Sequence, residues 1–457
     1  MSRDDDRISP GPLSEALLVE PLQIPDVRAS QANTLGAEAD ETLPSTCSSS
    51  RFPVGRGLRL TFEDGTELLD AVSGTFNLPL GYDHPKVVAA LMDQLCNCTH
   101  ISSTYSAPYA ASVLKTLTEL APSNIGAGWM RDITGSTANE CAVKIAQKSS
   151  GKRDVLSLHR SHHGQTVFTS SISGDAMRKE AFPAASNPAS IKVPPPYCYR
   201  CPYSKVYPSC GLLCAERIRD EIKYGSSGSV ACIIVEPVLG NGGNIVPPPG
   251  YFSAVEEICE EAGILLIADE VQTGMGRTGE VFACESLHIK ANIITLAKGL
   301  GGIGMPAAAV LMEPDLDVLE QCEHSFTSGG NMLTITAART TLEVIKEEGF
   351  LAGVRARGAY LERGLRLLER YDCVGDIRGL GMMWGLEIVG PNQEPDPEKT
   401  NRIIRHAEQS YNLILRGSAY GWGNVVKVRP ALIATEEDLA EIVERLSRAI
   451  GDVEAHG

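Results

Sequence analysis

Five short apolar runs alternate with helical segments between residues 105 and 310, and this alternation constrains the fold more than any other feature. The runs are apolar at consecutive positions, so a strand formed by any of them must be buried on both faces. Segments between them, such as GSTANECAVKIAQKSSG, have the apolar spacing of helices. The sequence therefore predicts an α/β fold whose mostly parallel sheet is covered by helices on both sides. The runs are DVLSLH, ACIIVEP, GILLIADE, NIITLAK and AAAVLM.

Composition and pattern divide the 457 residues into four parts. Residues 1–51 contain no aromatic residue and are rich in Ser, Pro, Glu and Asp, so we expect a disordered tail. Residues 52–104 begin with a hairpin pattern around an Asp-Gly turn and are expected to form the N-terminal part of a small domain. Residues 105–334 carry the alternating pattern of a large domain. Residues 335–457 are expected to complete a smaller α+β domain.

The net charge of −16 limits the partners that this chain can bind. A net anion repels phosphate backbones and anionic membrane surfaces, so we expect neither a nucleic acid nor a membrane as partner. The N-terminus lacks the apolar core of a signal peptide, and no apolar run approaches the length of a membrane span. Thirteen cysteines in such a chain indicate mostly free thiols in a reducing cytoplasm.

An acid and a lysine each follow one of the apolar runs. Asp269 ends GILLIAD, and Lys298 ends NIITLAK. The carboxyl ends of parallel strands form the ligand-binding edge of such a sheet, so both side chains could face one crevice. A lysine that is desolvated there becomes a nucleophilic amine, whereas a lysine paired with a surface acid does not.

Two further segments have the composition of anion-binding loops. DITGSTANE places Gly135 and Ser136 at the start of a helix, where free backbone amides bind phosphate or a Ser/Thr side chain simply caps the helix. HSFTSGGN combines small hydroxylated residues with paired glycines. GLGGIG has the spacing of a dinucleotide site, but a strand rather than a helix follows it, which argues against a nicotinamide oxidoreductase.

IADEVQTGMGRTG followed by TLAKGLGG resembles the signature of class III pyridoxal-phosphate aminotransferases. YDCVGDIRGLGMMWGLEIV is similar to a segment of dialkylglycine decarboxylase, a member of that family. The resemblance implies fold type I, in which a large domain with a mostly parallel seven-stranded sheet joins a smaller α+β domain. It also implies a homodimer with active sites at the subunit interface and pyridoxal 5′-phosphate as cofactor.

The resemblance assigns roles around the cofactor ring to four residues. Lys298 aligns with the lysine that forms a Schiff base with the cofactor aldehyde and then moves protons. Asp269 aligns with the acid that pairs with the pyridinium nitrogen, which makes the ring an electron sink. Gln272 aligns with the residue near the phenolic oxygen, and Val271 with the side chain packed on one ring face.

The resemblance also assigns the phosphate contacts and the stacking residue. Gly135 and Ser136 align with the phosphate-binding helix start, and Thr327 with a threonine that reaches the phosphate from the other subunit. His162 stands where an aromatic side chain usually stacks on the cofactor, and imidazole offers less stacking area.

The substrate residues depart from the family pattern. Lys427 stands at the position of an arginine that binds a substrate carboxylate, and Asn241 at the position of a glutamate that neutralises that arginine. Arg429 follows two residues after Lys427, so both cations share a strand face, unless Arg429 is a solvated surface residue. Thr75 stands where dialkylglycine decarboxylase has a glutamine, which makes decarboxylation less favoured. We therefore expect a cationic pocket for a carboxylated substrate.

These observations predict an aminotransferase that moves an amino group from an amino acid or amine to a keto acid or aldehyde. A decarboxylase, a racemase or a phospho-lyase on the same fold is the alternative. A hypothesis of another class is a zinc-stabilised interaction protein on an inactive enzyme scaffold, against which the intact Asp269 and Lys298 argue.

PYCYRCPYSKVYPSCGLLC contains four cysteines, spaced as C-x-x-C and then C-x-x-x-C. Such spacing can close a tetrahedral zinc site, but local cysteine spacing alone often misleads, and a proline-rich surface loop with free thiols is the more common case. No metal is assigned to the catalytic site. The four residues are Cys198, Cys201, Cys210 and Cys214.

Overall fold

A computed structural model describes residues 53–180, 182–320, 322–418 and 423–456. The segment interpreted above as a disordered tail lies outside these residues. Within the described ranges, no helix combines the length and the apolar character that crossing a bilayer requires.

The strands occupy the positions that the apolar runs predicted, with additional short strands near both ends of the chain. In chain order they are β1 Val54–Arg56, β2 Arg59–Thr61, β3 Glu67–Asp70, β4 Ala127–Asp132, β5 Asp154–Leu158, β6 Ser190–Val193, β7 Val230–Val235, β8 Leu265–Asp269, β9 Ile293–Leu296, β10 Ala308–Met312, β11 Val374–Leu380, β12 Met383–Ile388, β13 Leu413–Ile414, β14 Arg416–Gly417 and β15 Val425–Val428.

The α-helices connect and cover these strands. They are α1 Ser73–Phe76, α2 Pro85–Asn97, α3 Ser103–Leu120, α4 Gly135–Ser150, α5 Val167–Ile172, α6 Met177–Glu180, α7 Leu213–Asp220, α8 Tyr251–Ala262, α9 Ala283–Ser286, α10 Met332–Ile345, α11 Phe350–Arg366, α12 Pro397–Tyr411 and α13 Glu436–Ala455.

The large sheet has seven strands in the order β4-β10-β9-β8-β7-β5-β6. The pairs from β6 to β9 are parallel, whereas β10 is antiparallel to both β9 and β4. Because β4 is antiparallel to β10, it runs in the same direction as β9. The mostly parallel seven-stranded sheet expected from the sequence is confirmed.

Successive residues of the central strands enter two different apolar cores. Ile233 of β7 packs in the core that includes α3, α8 and α10, whereas Ile234 packs in the core that includes α4. Since strand side chains alternate between faces, a run that is apolar at every position serves both cores at once. Because β5 to β9 run parallel, their carboxyl ends lie at one edge of the sheet.

Two four-stranded sheets lie outside the large sheet. One has the order β1-β2-β3-β13, so strands near residue 60 pair with one near residue 413; the other has the order β11-β12-β15-β14. β2 and β3 form the hairpin predicted around Asp64-Gly65, and Gly65 has the positive φ of +84° that its turn requires. The domain boundaries given above remain predictions.

The N-terminus of α13 offers a test of local stability away from the large sheet. The Thr435 hydroxyl accepts a hydrogen bond from the Asp438 backbone N–H at 3.1 Å, and the Asp438 carboxylate accepts one from the Thr435 N–H at 3.0 Å. We expect Thr435→Ala to lower the free energy of unfolding by about 0.5–2 kcal/mol, since it leaves a helix N–H unpaired. Thr435→Ser keeps the hydroxyl and should stay near wild type. Urea unfolding at fixed protein concentration measures both, and equal losses in the two variants would contradict the capping account.

Candidate active site

The adjacent parallel strands β8 and β9 end at one edge of the large sheet. Asp269 is the last residue of β8 and lies opposite Thr295 of β9. Lys298 follows the end of β9 by two residues and begins a short 3₁₀ turn. The edge that the sequence predicted as a ligand site therefore carries both the acid and the amine.

A cleft of about 380 Å³ opens at this edge. It is lined by residues from the end of β8, from the 3₁₀ turn that follows β9, from the start of α4, and from the segment between β5 and α5. Six of the residues predicted to hold a cofactor line it: Gly135, Ser136, His162, Asp269, Val271 and Lys298. Gln272 and Thr327 are not among its lining residues in this single chain.

Asp269 is 3% exposed and is held from two sides. Its Oδ2 accepts a hydrogen bond from Asn139 Nδ2 at 2.8 Å and lies 2.7 Å from His163 Nδ1. Burial raises the pKa of Asp269, but its hydrogen bonds and its electrostatic interaction with His163 outweigh burial, so its pKa lies below the usual value. Asp269 is therefore a fixed carboxylate at neutral pH.

Lys298 has an amine suited to covalent chemistry. Burial lowers its pKa from 10.5 to about 8, although the charges of Asp269 and Glu236 raise it. A larger fraction of such an amine is unprotonated near neutral pH than of an ordinary lysine. Its backbone φ of 42° lies in the left-handed region, which a side chain adopts at a cost and which marks functional positions.

The start of α4 forms the opposite end of the cleft. A Cβ atom on Gly135 would lie 2.7 Å from Val271 Cγ1, so no larger residue fits there without displacing Val271. Ser136 Oγ accepts a hydrogen bond from the backbone of Gln165 at 3.1 Å. The Thr134 hydroxyl caps this end by accepting a hydrogen bond from the Thr137 N–H at 3.3 Å, and the remaining N-terminal amides of this sixteen-residue helix are suited to an anion such as phosphate.

Two supporting residues were not identified from the sequence. His163 is 1% exposed and contacts Asp269, whereas the neighbouring His162 lines the cleft. Asn139 bridges Asp269 to Thr295, whose hydroxyl donates to Asn139 Oδ1 at 2.7 Å. Asn139 lies four residues after Gly135 on α4, and this helical spacing is the signal that could have found it.

Arg429 is 1% exposed, which excludes the interpretation of a solvated surface residue. Its guanidinium donates to the side chains of Gln272 and Asn244 and, at 2.9 Å, to the Gly240 carbonyl oxygen. It also lies 4.2 Å from the centre of the Phe76 ring. Arg429 therefore holds Gln272 in place through contacts inside the protein.

Lys427 is 2% exposed, but its side-chain Nζ makes no hydrogen bond or ion pair with another described residue. Its Nζ lies 5.6 Å from the centre of the Phe76 ring. Burial lowers the pKa of Lys427 well below the usual value, and the charges of Arg429 and Lys298 lower it further. An anionic ligand would stabilise the protonated form of this buried amine.

Thr327 lies in the exposed segment between β10 and α10. Three residues before Thr327, His324 Nε2 lies 3.0 Å from Asp132 Oδ1 at the end of β4. Lys144 of α4 donates to the Glu323 carbonyl oxygen at 3.1 Å. The same helix thus begins at the cleft and supports the segment that carries Thr327.

Comparison with known proteins shows which family the chain resembles. Residues 49–450 match the family model described as aminotransferase class-III. A leucine/methionine racemase from Thermococcus litoralis is 34% identical, over 85% of this chain and 87% of its own. An acetylornithine aminotransferase from Methanothermobacter thermautotrophicus is 32% identical, over 87% and 93%.

Solved structures agree with the sequence match. An omega transaminase from Pseudomonas jessenii has a TM-score of 0.83 and 26% identity, covering 89% of this chain and 93% of its own. A pyridoxal-phosphate-bound amine transaminase from an uncultivated Pseudomonas species has a TM-score of 0.81 and 27% identity, covering 91% and 98%.

These matches confirm the fold, the enzyme class and the cofactor that the sequence predicted. The chain belongs to the class III aminotransferases, enzymes that use pyridoxal phosphate.

Proposed function

We propose that this chain is a homodimeric, cytoplasmic aminotransferase in which Lys298 carries the cofactor and a carboxylated substrate binds at Lys427. The observation that supports it best is the set of groups that line one cleft: a buried carboxylate, an amine with a lowered pKa and a helix N-terminus. Pyridoxal phosphate has a ring nitrogen, an aldehyde and a phosphate, one group to suit each of them.

The residues of the cleft fit the cofactor chemically. Gly135 leaves room at the start of α4 for the phosphate, and Asp269 supplies the charge that keeps the ring nitrogen protonated. When bound, pyridoxal phosphate supplies an electron sink for the bond broken at the substrate α-carbon. Lys298 Nζ, in its unprotonated form, accepts the proton from that carbon.

Racemisation is a second candidate function, because two of the relatives are racemases. Besides the enzyme from Thermococcus litoralis, an alanine/serine racemase from Pyrococcus horikoshii is 31% identical over 85% of this chain. The two functions differ in their need for an acceptor. Loss of the amino group only when a 2-oxo acid or aldehyde is present identifies the aminotransferase, whereas inversion of a single enantiomer without acceptor identifies the racemase.

The first prediction concerns the lysine that carries the cofactor. Borohydride treatment of the holoenzyme should fix the cofactor on Lys298, as located by peptide mass spectrometry. Lys298→Ala should lose turnover by orders of magnitude, because one amine supplies both covalent and proton-transfer catalysis. The exposed Lys290 is the matched control, and Lys290→Ala should behave as wild type. Cofactor fixed on a different lysine would refute the assignment.

The second prediction concerns a shared site in the dimer. If Thr327 serves the partner's cofactor, a mixed dimer of Lys298→Ala and Thr327→Ala chains has one intact site. Such a mixture should regain roughly a quarter of wild-type activity, since half of the dimers are mixed and each has one of two sites intact. Lys298→Ala mixed with Asp269→Asn should regain nothing, because both lesions lie on the same side of the interface. Equal outcomes in the two mixtures would rule out the shared site.

The third prediction concerns substrate binding. Lys427→Ala should raise the apparent KM of a carboxylated substrate by roughly tenfold or more, as expected for loss of a charge-assisted hydrogen bond. Lys427→Arg keeps the charge and should retain most of the binding. An amine without a carboxylate should show no such loss with either variant. If Lys427→Ala leaves the KM of carboxylated substrates unchanged, the pocket does not use this lysine.

The pH dependence gives an independent check of the same contact. A carboxylate binds the protonated lysine, and the pKa of Lys427 in the unliganded pocket is well below the ordinary value. Above that pKa the lysine is neutral and must take up a proton when the carboxylate binds. The affinity for a carboxylated substrate should therefore fall as the pH rises. Arginine stays protonated in this range, so Lys427→Arg should shift the fall to higher pH.

A further inference from the structure

The segment between β6 and α7 brings four cysteines to one small cavity. Cys198, Cys201, Cys210 and Cys214 all line a space of about 20 Å³, enclosed otherwise by tyrosines, prolines and leucines. A space of this size holds about one water-sized occupant. Cys198 is exposed and the other three are partly buried, so the cavity has an entry from solvent.

We propose that these four cysteines bind one zinc ion as a structural site that is independent of the proposed function. Zinc in structural sites is tetrahedral and commonly has four thiolate ligands, spaced as two local pairs. The C-x-x-C and C-x-x-x-C pairs of this segment supply such a set, and all four residues line one cavity although eight residues of loop separate the pairs.

Zinc binds cysteines as thiolates, so uptake of the ion by these four thiols should release protons.

The sulfur atoms must move closer to bind an ion. No three of the four loop cysteines have sulfur atoms that all lie within 4.8 Å of one another. Among the described residues, the group of three possible metal ligands that meets this distance is Asp132, Cys141 and His324. That buried group needs no ion, because His324 lies 3.0 Å from Asp132 and 3.3 Å from the ammonium of Lys144. The four loop cysteines, by contrast, have short side chains that rotate about one Cα–Cβ bond, and Lys205 at the cavity offsets the charge of the thiolates.

The cysteine segment is hydrogen-bonded to the four-stranded sheet β11-β12-β15-β14. Tyr197 and Arg200 both donate to Glu387 of β12, and Arg200 also donates to the Gln393 carbonyl oxygen at 2.9 Å. Cys198 and Cys201 are the immediate neighbours of these two residues. An ion that holds the cysteines therefore holds the donors of Glu387.

Glu387 connects this attachment to the cleft. Arg378 donates to Glu387 at 2.7 Å and to the Gly243 carbonyl oxygen at 2.8 Å. Gly243 precedes Asn244, which accepts from Arg429. Removal of the ion should thus destabilise the protein and loosen the loop that supports Arg429, without removing any cofactor contact.

Metal analysis of the purified full-length holoenzyme tests the site. We expect about one zinc per chain, and less than about a tenth of that in Cys198→Ser/Cys201→Ser. The matched control is Cys96→Ser/Cys98→Ser, which removes two thiols from the end of α2, outside the cavity, and should keep the zinc. Metal-free wild type that takes up no zinc on dialysis, iron in place of zinc, or disulfides among the four cysteines would each overturn the proposal.

A spectroscopic measurement on wild type covers the case in which the variant fails to fold. Cobalt exchanged into the holoenzyme should give the intense red-region bands of tetrahedral thiolate coordination, well away from the absorbance of the cofactor. Weak octahedral bands would contradict a four-cysteine site. The cofactor absorbance in the same samples reports on the proposed function separately, so failure of one does not imply failure of the other.

Discussion

The parallel hydrogen bonding of β8 to β9 determines where the charged groups of the active site lie. Both strands are buried on both faces, so their register cannot shift without exposing apolar side chains or burying polar ones. That register sets Asp269 opposite Thr295, three residues before Lys298. The acid and the amine are thus positioned by the core of the protein rather than by a loop, and precise placement is what covalent catalysis requires.

The charges buried around this edge are compensated unequally. Asp269 has three hydrogen-bond partners, from His163, Asn139 and the Val271 backbone. Glu236 accepts backbone hydrogen bonds from His162 at 2.7 Å and Gly240 at 2.9 Å. The carboxylates are therefore satisfied within the protein, whereas the amine of Lys298 faces the cleft. Such a site favours a cofactor and a substrate that bring their own negative charge.

Much of this arrangement could be predicted from the sequence, because apolar runs specify strands and strand ends specify the edge. Asp269 and Lys298 each terminate a run, so their proximity followed from the sheet alone. The pairing of β3 with β13 could not be predicted, since a two-residue strand carries no periodic signal. The different burial of His162 and His163 could not be predicted from the sequence either. Adjacent histidines have the same chemistry, and only the tertiary fold decides which one meets Asp269.

Arg429 and Lys427 show why charge at a predicted position does not by itself define a substrate contact. Both face the same region, yet Arg429 is engaged by Gln272, Gly240 and Asn244, whereas Lys427 has no such partner among the described residues. To bind a carboxylate, Arg429 would first have to give up these hydrogen bonds. Lys427 has no such hydrogen bond to give up, and pairing with a carboxylate would offset the free-energy cost of burying its charge. In the proposed substrate site, Lys427 would therefore be the group that pairs with a carboxylate, whereas Arg429 positions Gln272.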